Sequence, residues 1–165
     1  MRLLDIYLRD HWAGAGAGTD LARRLAGNNS RAPWADALDE VATRIEEDDL
    51  TLQEVRDRLG VGGGGLKRAI ARIGERISRL KPNGRLVGYS RLSPVLEAEA
   101  LIAGVSAKRL LWSTLAAVSA EHPTLAGYDF AGLEQRADEQ LAVLRRFHRE
   151  ATLDAFTSAN RSTRS

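Results

Sequence analysis

The sequence contains no cysteine, which excludes a disulfide framework, a thiolate zinc site and a cysteine nucleophile. Aromatic residues make up 5% of the chain, and only Tyr89 lies among its basic residues, too few for stacking on nucleic-acid bases. No stretch approaches the roughly 18 consecutive apolar residues of a membrane span. Met1 to Asp10 carries an acid at Asp5 and lacks the basic end and apolar run of an export signal. These absences make a cytoplasmic chain without a membrane partner the expectation.

What is present favours helix. The chain has 165 residues, 44% of them apolar and 28% charged, a composition rich in Ala, Leu and Arg that suits one soluble domain with a substantial core. Periodicity predicts long helices at about 2–26, 34–59, 94–121 and 130–156, with a short helix at about 66–80. Together they make a single domain over 1–156, followed by a flexible tail at 157–165. Asn28, Asn29 and Ser30 stop the first helix, Gly60 ends the second, and Gly62 to Gly65 form a linker. Ser93-Pro94 reads as an N-cap and first-turn pair, and Asp129 as the N-cap of the last helix. Within the first helix Ala and Gly alternate from Ala13 to Gly18. That costs about 1 kcal/mol per glycine relative to alanine, and the small side chains would let a neighbouring helix come close. The spacing of Gly14, Gly16 and Gly18 is not that of a phosphate loop.

The second helix carries the clearest stripe: Trp34, Leu38, Val41, Ile45, Leu52, Val55 and Leu59 recur on one face. Asp48 occupies the place in that stripe where an apolar residue is expected, with Asp49 on its flank. A carboxylate so placed must find a partner. Other polar residues fall on the stripes of other helices: His11 on the first, Glu97 and Lys108 on the fourth segment, His148 on the last. A hairpin turned at Asn29 to Arg31 would bring His11 to about the level of Asp48 and Asp49.

Two hairpins of long helices joined by a long crossover containing a short helix make an all-α four-helix bundle that resembles the ferritin-like superfamily. The resemblance implies a bundle core able to hold a di-iron or di-manganese centre, built from a Glu on each of two helices and a Glu-x-x-His pair on each of the others. The motif match is incomplete. Arg145 stands three residues before His148, Leu8 before His11 and Ser119 before His122, so the chain reads as a degenerate member whose usual centre is reduced or lost.

Two readings of the interior follow. In one, His11, Asp48, Asp49, Glu97 and His148 converge on a single divalent cation, with Fe, Mn or Zn suited to imidazole and carboxylate ligands. In the other they form a buried polar network in which Lys108 neutralises Asp48 or Glu97. No nucleophile elbow surrounds Ser90 or Ser93, so no reaction is indicated. Outside the core, Lys67, Arg68, Arg72, Arg76, Arg79, Lys81, Arg85 and Arg91 face Glu75 alone between residues 61 and 93. Residues 34–60 are strongly acidic. The basic segment 67–91 could bind an acidic partner or nucleic acid, or the two segments could neutralise each other. A homodimer through an apolar strip that includes the glycine-rich part of the first helix, or a monomer, completes the set of expected partners.

Overall fold

Four long helices carry the fold: α1 (Leu3–Asn28), α2 (Ala35–Arg58), α3 (Ser93–Val118) and α4 (Phe130–Thr157), with single 3-10 turns at Ser119–Glu121 and Pro123–Leu125 between the last two. The computed structural model describes residues 3–61 and 89–157, and among them there is no strand. The all-α bundle is therefore as expected. The predicted linker at 62–65, the short helix at 66–80 and the tail beyond 157 lie outside the described residues.

Helix ends follow local chemistry. Asp129 caps α4, its Oδ1 accepting from the Gly132 N–H at 2.9 Å. Gly60, at φ +67°, closes α2: its N–H donates to the Asp57 carbonyl and the Val61 N–H to the Arg56 carbonyl, which is the Schellman pairing. Ser93 is not the cap predicted for it. The helix already includes Ser93, Leu92 takes the cap position, and the Ser93 hydroxyl instead accepts from the Ser90 N–H at 3.0 Å.

Side-chain pairs fix the topology. Arg23 meets Asp39 and Glu46, and Arg56 lies over Trp12, so α1 and α2 are antiparallel. Arg109 with Asp138, and His148 with Glu99, make α3 and α4 antiparallel. Tyr7 with Thr114 and Arg24 with Glu97 set α1 antiparallel to α3, while Trp34 with Glu150 and Arg44 with Glu139 do the same for α2 and α4. Each hairpin therefore lies against the other, with α2 and α3 parallel and diagonally opposed.

The core runs the length of the bundle and includes Leu8, Leu25, Leu38, Val41, Leu52, Val55, Leu101, Trp112, Leu115, Leu141 and Leu144. Trp34 meets Phe147 edge-on at one end, and Trp112 stacks on Phe130 at the other. One expectation needs correcting. The segment Ser93–Glu121 is long and apolar enough to cross a membrane, because its alanines and glycine add to the leucines even though Lys108 and Arg109 interrupt any continuous run. In this fold it is a bundle helix that contributes Val95, Leu101, Val105, Leu111, Trp112 and Leu115 to the interior.

The glycine-rich stretch of α1 does not serve close approach at Gly16 or Gly18, since a Cβ added at either meets nothing within 4 Å. Gly16→Ala is therefore expected to raise stability by about 0.5–1 kcal/mol through helix propensity. Gly60→Ala, forced into the left-handed region, should lower it by about 1–2 kcal/mol. Urea denaturation of the two variants checks the opposite signs.

Candidate functional site

Helical periodicity delivers Asp48 to the interior midway along α2, where it is fully buried. Lys108 of α3 donates from Nζ to Asp48 Oδ2 at 2.5 Å, and Gln140 of α4 donates from Nε2 to the same oxygen at 3.0 Å. Lys108 Nζ also donates to Gln140 Oε1 at 2.7 Å, closing a triangle. Arg136 of α4 brings Nη2 to 2.7 Å from Asp48 Oδ1. Its N–H is not aimed along that line, so the contact is ionic and Oδ1 receives no formed hydrogen bond. Arg136 also reaches the exposed Glu47 at 3.3 Å, linking the interior to the surface.

Burial pushes the Lys108 ammonium below the ordinary lysine value, with Arg136 adding to the depression and the Asp48 carboxylate opposing it. Asp49, half-buried beside the network, has its carboxyl raised above the usual value by desolvation; Gln53 and the Arg56 charge pull the other way. Asp49 Oδ2 accepts from Gln53 Nε2 at 3.4 Å, and its Oδ1 is buried without a partner.

The remaining candidates lie elsewhere. Glu97 is buried near one end of α3, where Arg24 Nε stands 2.8 Å from Oε1 and Tyr89 donates to Oε2 at 3.1 Å. It lies eleven residues from Lys108, about 16 Å along the helix axis. Burial raises the Tyr89 hydroxyl to about 12, and the Glu97 carboxylate adds to the rise while the Asn29 hydrogen bond opposes it. His11 packs edge-on against Tyr7 with ring centroids 4.6 Å apart, and burial lowers its pKa. The hairpin register predicted for it is corrected. The connection extends to Trp34, Arg56 faces Trp12, and Asp48 is eight residues further back along α2, about 12 Å away. His148 is displaced from the core by Phe147 and lies on the outside of the α3–α4 pair, with Nε2 3.2 Å from Glu99.

The predicted convergence of His11, Asp48, Asp49, Glu97 and His148 therefore does not form. Among the described residues no group of three or more His, Asp or Glu side chains is placed to hold a metal ion. The donor set also fails chemically, because both Asp48 oxygens face resident cations and a divalent ion would have to displace them. Gln140 and Arg136 complete the network and were not singled out from sequence. The signal was faint but present, since Gln140 stands three residues after Ala137 and four before Leu144, on the buried side of α4 beside Leu141. The basic residues from Lys67 to Arg85 lie outside the described residues. Among the described residues, Glu46, Glu47, Glu40 and Glu54 of α2 pair with Arg23 of α1, Arg136 of α4, and Arg44 and Arg58 of α2 itself.

Comparison with known protein families, curated proteins and solved structures gives no match for this chain.

Removing one member of the network strands the others. Asp48→Leu should cost about 3–5 kcal/mol, the range for an uncompensated buried charge. Asp48→Leu with Lys108→Leu should cost less than the sum of the single changes, with a coupling of about 1–3 kcal/mol in a double-mutant cycle.

Asp49 gives a pH signature. Its folded-state pKa lies above the unfolded value, so its ionised form costs stability, fully above the raised pKa, and that cost disappears below the ordinary value of 3.8. Asp49→Asn should therefore be more stable than wild type at neutral pH, and the two should converge as pH falls through the raised pKa toward 3.8. Chemical denaturation across that window reads the difference.

Proposed function

We propose that this chain is a ferritin-like helical bundle that acts as a non-enzymatic module, with an ion network at its centre where ferritin-like proteins hold metal. The helix order supports the ferritin-like reading: two antiparallel hairpins, a long crossover, and α2 parallel to α3. The observation that carries the functional reading is Asp48, fully buried and held by Lys108, Arg136 and Gln140. An active-site carboxylate needs an unfilled approach for substrate or cation, and here three side chains fill it. Its partners come from two helices, so the network joins the hairpins and serves the specificity of the fold.

Protein purified without added metal is expected to carry substoichiometric Fe, Mn and Zn by elemental analysis, and its melting temperature should not rise when any of the three is supplied. Stoichiometric metal that disappears in both His11→Ala and Asp48→Ala would overturn the proposal.

A further inference from the structure

The face shared by α3 and α4 has two properties that the interior network does not explain. First, of the stretch of α3 apolar enough to span a membrane, 28% is buried, and Leu110 on it is 59% exposed. Second, one line of outward residues on α4 is ordered by charge. Glu134, Asp138, Ala142, Arg145 and Arg149 follow at helical steps on one side, acids before Ala142 and bases after it. Between the helices at this level lies an open cleft of about 340 Å³ lined by Ser106, Arg109, Leu110, Asp138, Leu141 and Arg145.

The acids are partly satisfied within the chain. Arg109 stands 2.9 Å from Glu134 and 2.7 Å from Asp138, which remain 26% and 52% exposed. Arg145 and Arg149 make no ion pair among the described residues. An acidic peptide or an anionic lipid surface would answer the two arginines and meet the two acids with like charge. An antiparallel copy of the same helix answers both. With a two-fold axis crossing α4 beside Ala142, Asp138 of each copy stands level with Arg145 of the other, and Glu134 with Arg149, so each pair occurs twice. Ala142 at the axis lets the helices come close, and exposed Ala103 and Leu110 on α3 extend the apolar contact.

We propose that this face is the two-fold interface of a homodimer centred on Ala142, with reciprocal Asp138–Arg145 and Glu134–Arg149 pairs. Two helices of about 40 Å side by side offer roughly 800 Å² per copy, the area of a standard specific interface. The interface is independent of whether the bundle interior binds metal.

Sedimentation velocity at tens of micromolar should give a species of twice the 18.0 kDa chain mass. Arg145→Glu, which sets like charges opposite each other twice, should weaken the dimer at least tenfold with its helix content unchanged. Exchanging the pair, Asp138→Arg with Arg145→Glu, in an Arg109→Gln background that removes the cation 2.7 Å from Asp138, should bring affinity back to within a few-fold of that background. Because the chain lacks cysteine, Ala142→Cys gives a clean second readout: mild oxidation should yield a covalent dimer, whereas Leu50→Cys, exposed on α2, stays monomeric. A wild-type monomer at hundreds of micromolar, an Arg145→Glu variant that dimerises normally, or an exchange no tighter than that single change in the same background overturns the proposal. So does cross-linking equal at Ala142 and Leu50, or a monomer that binds anionic vesicles or an acidic peptide through Arg145 and Arg149.

Discussion

A carboxylate withdrawn from water accepts only a narrow set of surroundings, and Asp48 imposes that constraint on the bundle. Apolar side chains alone would tolerate small slides of one hairpin against the other, because Leu and Val stripes repeat each turn and pack nearly as well one step away. A hydrogen-bonded ion pair has no neighbouring register of similar energy. Lys108 spans the bundle diagonal from α3 to reach α2, and Arg136 and Gln140 approach from α4, so a one-turn displacement would leave both charges unpaired. Buried pairs of this kind add little net stability relative to apolar packing, and their attested use is to select one arrangement.

The same logic, at lower energy, governs the surface. Arg23 to Asp39 and Glu46, Arg44 to Glu139 and Arg136 to Glu47 all cross helix seams. Each exposed pair is worth about 0–1 kcal/mol, so their sum does not hold the fold together. Their value lies in agreement: every one is satisfied by the register that satisfies Asp48, and such consistency across levels separates a single native arrangement from its neighbours.

The architecture was legible because it rests on periodicity. Leu38, Val41, Ile45, Leu52 and Val55 of the α2 stripe are buried as read, with Trp34 and Leu59 at its ends half-buried, the Asp129 cap placed the start of α4, and Gly60 marked the end of α2. Asp48 stood out for the same reason, as a polar residue at an apolar beat, and Lys108 was identified as a partner from its helical angle. Register between helices was not legible, because it depends on where a turn is centred. Placing the first turn at Asn29 to Arg31, when the connection runs on to Trp34, displaced His11 by about 12 Å relative to Asp48. His148 was misplaced by a single residue of phase: Phe147 holds the buried position, and a one-residue step turns a side chain by about 100°. Arg136 escaped notice because a long basic side chain can begin at the surface and end in the core.

Charge balance explains how the network around Asp48 is closed. Asp48 has two cations around it, an excess that a closed apolar core could not sustain. The excess is relieved in two directions. Arg136 shares its charge with Glu47 at the surface, and Lys108 titrates below the usual lysine value under burial while the Asp48 carboxylate holds its proton in place. The result is a centre that is neither vacant nor acidic, with its fixed charges answered from both sides. A further cation reaching Asp48 would have to displace Lys108 or Arg136, because each carboxylate oxygen already faces one of them.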